Sequence, residues 1–221
     1  MLHEWDLTPR EAIALQKKLQ PSVRTDLALP SVEFVAGVDV AYSKATGESI
    51  ATLCLLSYPG LLLVDHSVAR LKTPFPYVPG LLSFREIPPI LEAVRRLRRP
   101  FQLLFVDGHG QAHPRRFGIA SHLGLWLERP TIGIGKSRLV GRYEEPGKAK
   151  GCRSPLVDRD EVIGTVLRTR EGVKPIFVSV GYGLPLDTCV DWTLQVTPRF
   201  RLPEPIRQAD RLAALHKRAG G

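Results

Sequence analysis

Asparagine is absent from this chain, methionine occurs once, and cysteine is confined to three scattered positions, Cys54, Cys152 and Cys189. An odd number of distant cysteines with no C-x-x-C pair excludes a disulfide framework and a zinc knuckle, and it suits a reducing, cytoplasmic location. No apolar run approaches the ~20 residues of a membrane-spanning helix, so no membrane partner is expected. The opening Met1-Leu2-His3-Glu4-Trp5-Asp6 lacks the basic start and apolar core of a secretion signal. Acidic residues are also in short supply: 22 stand against 31 lysines and arginines, for a net charge of +9 and a pI near 9.8. That imbalance points to a polyanionic partner or to a solvated basic surface. Arginine far outnumbers lysine and there are 19 prolines. Together with the missing amide this fits a thermophilic source, although GC-rich coding leaves the same mark. What is plentiful is apolar: 43% of 221 residues are hydrophobic, enough for one core and a single domain over 1–221.

Local signals place the elements. Thr8-Pro9-Arg10-Glu11 carries an N-cap, a proline at the first helical position and a capping-box glutamate, so a helix runs from about Pro9 to Leu19. Glu33 to Tyr42 reads as a strand. Glu48 to Ser57 and Leu61 to Lys72 form a hairpin through Tyr58-Pro59-Gly60, whose proline-glycine order suits a type II turn. A helix covers about Leu82 to Arg98, with Phe84, Ile87, Leu91 and Val94 on one face; Pro88 and Pro89 should kink or restart it. A strand over Gln102–Val106, a short helix over Gly118–Leu127 and a strand over Pro130–Gly135 follow. Gly141 to Gly151 reads as a mobile loop. Strands near Glu161–Arg168 and Lys174–Val180 and helices near Leu186–Gln195 and Pro205–Arg218 complete the chain. The order predicts an α/β fold with a ribonuclease-H-like mixed sheet: three antiparallel strands lead, parallel strands follow, and helices cover both faces.

The chemistry gathers at strand ends. Leu103 to Val106 is an apolar run that stops on Asp107, then passes into Gly108-His109-Gly110-Gln111-Ala112-His113-Pro114-Arg115-Arg116. A carboxylate held there, facing a loop that a ligand can approach closely, suits a metal-dependent site acting on phosphate; a helix-capping aspartate is the plainer reading. Gly37-Val38-Asp39-Val40-Ala41-Tyr42 puts a second aspartate inside a strand, with only Gly37 and Ala41 beside it on its face. If the first and fourth strands are neighbours, Asp39 and Asp107 can share Mg²⁺, whose hard oxygen ligands they match. Glu86 either turns inward as a third carboxylate or closes a capping box in Ser83-Phe84-Arg85-Glu86. Pro74-Phe75-Pro76-Tyr77-Val78-Pro79-Gly80 presents an aromatic on a stiffened loop, either a wedge between bases or an element packed on the core edge. Gly133-Ile134-Gly135-Lys136-Ser137-Arg138 sets a lysine past a strand end without Walker A spacing; it either neutralises a phosphate or is simply solvated. His109 and His113 are four apart, but the glycines between them disfavour a zinc pair. Asp158, Asp160 and Glu161 read as a solvated turn. Arg95, Arg96, Arg115, Arg116 and Arg138 are candidates to grip phosphates.

Taken together, these segments resemble the endonuclease V family. The resemblance rests on Gly37–Tyr42, Pro76–Gly80 with Ser83–Glu86, and Val106–Arg116 continuing through Phe117-Gly118-Ile119-Ala120-Ser121-His122-Leu123-Gly124. Gly135–Leu139 and Leu202-Pro203-Glu204-Pro205-Ile206-Arg207-Gln208-Ala209-Asp210 complete it. The resemblance implies a ribonuclease-H-like nuclease that nicks DNA containing hypoxanthine at the second phosphodiester bond 3′ of the lesion, leaving 3′-hydroxyl and 5′-phosphate ends. It makes Asp39, Glu86 and Asp107 catalytic ligands of Mg²⁺, for which Mn²⁺ can substitute, with Asp210 a further metal ligand. His113 and Lys136 become active-site groups near the scissile phosphate. Tyr77 becomes the wedge, with Pro76, Val78, Pro79, Gly80, Arg115, Arg116 and Arg138 contacting substrate. The expected partner is DNA with deaminated bases, or inosine RNA, bound by a monomer. One departure is visible: Ser179-Val180-Gly181-Tyr182 stands where the family has a Ser-Pro-Gly-His-like segment.

Overall fold

The computed structural model describes residues 2–29, 31–73 and 75–218, with the side chains of 217 and 218 excepted. Pro74, at the start of the proline-rich loop, therefore lies outside the described residues. Helix α1 (Pro9–Leu19) begins as expected: the Thr8 hydroxyl accepts from the Glu11 amide, and the Glu11 carboxylate accepts from the Thr8 amide. Then come β1 (Phe34–Ser43), β2 (Glu48–Ser57), β3 (Leu63–Lys72), α2 (Leu82–Arg96), β4 (Leu103–Asp107), α3 (Ile119–Leu127) and β5 (Thr131–Gly135). The chain finishes with β6 (Arg153–Asp158), β7 (Glu161–Leu167), β8 (Ile176–Tyr182), α4 (Leu186–Gln195) and α5 (Glu204–Arg218).

All eight strands join one sheet in the order β3-β2-β1-β4-β5-β8-β7-β6. The three leading strands are antiparallel, and β4 and β5 then run parallel to β1. This is the mixed sheet that the element order implies. Beyond β5 the sheet returns to antiparallel pairing through β8, β7 and β6. One face carries Ala36, Val38, Leu104 and Val106 against Ile87, Ile90 and Leu91 of α2 and Ile119 and Leu123 of α3. The other carries Val35, Leu103, Phe105, Ile132 and Ile134 against Cys189 and Val190 of α4 and Ile206 of α5. Alternation along each strand assigns the two sets. The second set, continued outward by the same alternation, places Asp39, Asp107 and Lys136 on the α5 face.

Three local expectations need correction. The β2–β3 turn is not type II: the Tyr58–Pro59 peptide is cis, and the left-handed residue is Leu61 at φ 51°, not Gly60. Of the two expectations for Pro88 and Pro89, a restart does not occur: helix α2 continues through both. Each proline forfeits one helical hydrogen bond, but Ile87, Pro89, Ile90, Leu91 and Ala93 are all buried, and that burial outweighs the local penalty. Strand β6 was hidden by Pro155; proline survives there because β6 is the sheet's edge and one amide need not pair.

Candidate active site

The β1–β4 register pairs Gly37 with Phe105 and Val38 with Val106, so the next step outward brings Asp39 alongside Asp107. Neighbouring strands lie about 4.8 Å apart, and carboxyl ends of parallel strands are where open α/β sheets bind ligands. The approach of α5 is equally local in origin. A Cβ at Gly37 would stand 2.1 Å from the Pro205 carbonyl oxygen, so only glycine lets α5 start this close to β1. That contact delivers Asp210 to the same end of the sheet. Lys136 follows β5 directly. Its Nζ lies 2.6 Å from Asp107 Oδ2 and 3.7 Å from Asp210 Oδ1.

Glu86 joins them. Helix α2 starts at Leu82 after Leu81, with no side-chain cap, and the Ser83 hydroxyl instead contacts His122 Nδ1 at 3.0 Å. The capping-box reading of Glu86 therefore fails. Its carboxyl is pushed up to about 8, first by burial and then by the charges of Asp39 and Asp107. Burial and the charge of Asp107 likewise push Asp39 up to about 7. For Lys136, burial favours the neutral form, but bonding to Asp107 overcomes it and holds the ammonium charged. The buried Thr52 hydroxyl, directly across the β1–β2 pair from Asp39, has no hydrogen-bond partner.

Crowded carboxylates and an unpartnered hydroxyl make a hard, oxygen-rich donor set that suits a divalent cation. Asp39, Asp107, Glu86 and Asp210 are the residues that could hold one. Among the described residues, no three His, Cys, Asp or Glu side chains already converge at ion-binding distance. The Lys136 ammonium occupies the position between Asp107 and Asp210 instead, and it would compete with a metal for Asp107.

Beside this cluster is a mostly apolar cavity of about 180 Å³, bounded by Tyr77, Gly80, Gly108, His109, Ile119 and Leu139. An apolar cavity of roughly 150 Å³ holds a benzene ring, so a flat heterocycle fits here. Tyr77 is 71% exposed at its rim, whereas Phe75, in the same loop, is buried against Leu81 and Phe84. One aromatic anchors the loop and the other is presented.

His113 is reassigned. Only 3% exposed, it donates from Nε2 to the Gly80 carbonyl at 3.0 Å and accepts the Arg115 amide at Nδ1 at 3.2 Å. Both ring nitrogens are used, so it holds the Tyr77–Gly80 loop from the wall of the cavity. The Gly80 carbonyl also accepts from Gln16 Nε2 at 3.0 Å and Arg115 Nη2 at 2.7 Å. Gln16 was missed in the sequence; its only signal is a polar residue on the buried face of α1 with Ala12. Gly80 itself sits at φ +79°, and a Cβ would meet Arg115 Nη2 at 2.7 Å. Gly80→Ala should therefore cost about 1–3 kcal/mol, seen as a lower urea midpoint at unchanged slope.

Burial first, and Arg115 next, lower His113 to about 4. A histidine depressed in the folded state favours folding fully above its unfolded pKa near 6.5, and that stability drains away as the pH falls toward 4. The stability gap between wild type and His113→Gln should narrow by about 2 kcal/mol from pH 7.5 to 5, as read by urea titrations. An unchanged gap would mean that the ring is not held neutral.

The arginines divide. Arg116, at φ 53°, is taken up by Asp158 at 2.9 Å and Glu161 at 2.7 Å. It is not free to grip a phosphate, and that acidic pair is not merely a solvated turn. Asp160 remains exposed, 3.4 Å from Arg142. Arg95 and Arg96 both pair with Glu92, and Arg96 also donates to the Val68 carbonyl. Arg115 donates to neutral acceptors and keeps its charge. Arg138 stands exposed over the Tyr143 ring at 5.8 Å. His109 Nε2 lies 3.0 Å from the Ser137 carbonyl and Nδ1 is unpartnered. In the departing segment, Val180 and Tyr182 are simply buried in β8. No helix among the described residues is long and apolar enough to cross a membrane.

Known proteins share this sequence and fold. The Endonuclease V family model matches residues 14–211. Endonuclease V of Nostoc punctiforme is 47% identical over 213 residues, covering 96% of both chains. The crystal structure of Endonuclease V from Streptomyces avermitilis superposes with a TM-score of 0.93 at 43% identity, covering 98% of this chain and 96% of that one. Ciona intestinalis Endonuclease V, solved with a 24mer DNA containing an inosine followed by a ribo-adenosine, superposes at 0.85 with 29% identity, covering 96% of this chain and 98% of that one. The chain belongs to the endonuclease V family.

Proposed function

We propose that this protein, acting as one nuclease unit over 1–221, nicks DNA containing hypoxanthine in a reaction that depends on Mg²⁺ or Mn²⁺. The cut falls at the second phosphodiester bond 3′ of the lesion and leaves 3′-hydroxyl and 5′-phosphate ends. The observation that carries this reading is the juxtaposition of Asp39 and Asp107, crowded by Glu86, with an apolar cavity rimmed by exposed Tyr77.

Asp39 and Asp107 hold the cation, with Glu86 and Asp210 as further ligands. When bound, the ion supplies Lewis-acid stabilisation of the charge that develops on the scissile phosphate. The carboxylates by themselves repel a phosphate, and Lys136 neutralises an oxygen of the phosphate or leaving group beside them. Tyr77 fills the gap left by the displaced base. The cavity beneath it receives the lesion, whose weak pairing lowers the cost of extrusion. His113, Gln16 and Arg115 act indirectly, by fixing the Gly80 carbonyl and hence the loop.

The test is a nicking assay on duplexes that differ only in inosine or adenosine, with and without Mg²⁺, mapping the cut. Inosine RNA, branched junctions and a ribose directly after the inosine belong in the same assay, because the Ciona complex carries that ribonucleotide. Metal-independent cutting, or equal cutting of the adenosine control, would remove this function.

A further inference from the structure

The loop after β5 is a ridge between two hollows. Leu139 lines the apolar cavity, while Lys136, Ser137 and Arg138 face the other way, into an open groove of about 790 Å³. Tyr143 and Phe177 pack edge to face along that groove with centroids 5.4 Å apart, and Lys174, Pro175 and Arg201 line its far side. Arg201 donates to the backbone carbonyls of Lys136, Lys174 and Pro175, tying the two walls together. Its acceptors are neutral, so its charge stays in the groove. Among the described residues, none of Arg138, Lys174 and Arg201 has a carboxylate within ion-pair distance. The one acidic lining residue, Glu145, is engaged by Arg168 at 2.7 Å.

We propose that this groove is a binding subsite for the nucleic-acid strand on the 3′ side of the cut. Arg138 and Lys174 grip about two backbone phosphates there, and Tyr143 supports a sugar or base between them. The direction follows from connectivity. Gly108 and His109, next after Asp107, line the cavity; Lys136, in contact with Asp107, lines the groove. The carboxylates thus stand between the two hollows. A strand with its lesion in the cavity and its cut on the 3′ side must leave through the groove. The proposal rests on the function argued above.

The experiment compares inosine duplexes whose arm beyond the cut is one or eight nucleotides long, with the 5′ arm constant. Binding is read by anisotropy across salt, and nicking is assayed in parallel. The wild type should bind the long-armed substrate more tightly, with a salt slope steeper by about 1.8 for two extra phosphates. A fourfold rise in salt should then weaken the long-armed complex about twelvefold more than the short one. In the double variant Arg138→Gln, Lys174→Gln, both exposed positions, the advantage of the long arm should vanish while that of a longer 5′ arm persists. Nicking combined with arm-independent binding by the wild type would overturn the groove and leave the function standing. An arm advantage that survives in the double variant would overturn it as well. Absence of nicking on every inosine substrate would remove the function and the groove together.

Discussion

Asp39→Asn and Asp107→Asn should each lower inosine-dependent nicking by about 10³-fold or more, and Asp39→Asn, which breaks no ion pair, should melt at a higher temperature than the wild type without metal. The two effects share one cause. The β1–β4 register sets these carboxylates side by side, and Glu86 and Asp210 crowd the same site from α2 and α5. One ammonium, Lys136, opposes them. Without a metal this arrangement is strained by mutual repulsion and desolvation, a cost retained where activity needs it. An amide keeps the shape and removes a charge. About 1 kcal/mol of relief would raise the melting temperature by roughly 2–4 °C in a chain of this size. Added Mg²⁺ should stabilise the wild type and not the variants, because binding to the folded state alone raises stability by mass action. Retained nicking in either variant, or a large fall in the melting temperature of Asp39→Asn, would show that these aspartates serve the fold and not the reaction.

Tyr77→Ala should reduce discrimination between inosine and adenosine substrates about 5- to 150-fold, the equivalent of the 1–3 kcal/mol that base–aromatic stacking is worth. Stability should move by no more than about 0.5 kcal/mol, as for other exposed positions. These expectations separate because the loop divides its labour: buried Phe75 secures it, and 71%-exposed Tyr77 is free to meet the strand. Equal loss on both substrates would make Tyr77 a general affinity contact. No loss would return it to the packed-loop reading.

Much of this was legible along the chain. The element order, the leading antiparallel strands, the capping box at Thr8 and the apolar faces of α2 all depend on local periodicity and local capping. So does the isolation of Asp39 and Asp107 as lone carboxylates in apolar strands, because burying a charge is costly enough to make such positions conspicuous. Burial overrode local rules where the two disagreed: α2 runs through Pro88 and Pro89 because its buried face holds it, and Ser83 pairs with His122 instead of capping, which freed Glu86.

Composition, spacing and motif order were therefore sufficient for the fold class and the family. They were not sufficient for partnership. That His113 turns to Gly80, that Arg116 is absorbed by Asp158 and Glu161, that Gln16 braces the loop, and that Arg201 ties a basic groove together are all contacts between residues far apart in the chain. A hydrogen bond or ion pair is decided within a few tenths of an ångström, by how separate elements dock. Periodicity records which face a side chain occupies, and only packing selects the atom it meets there.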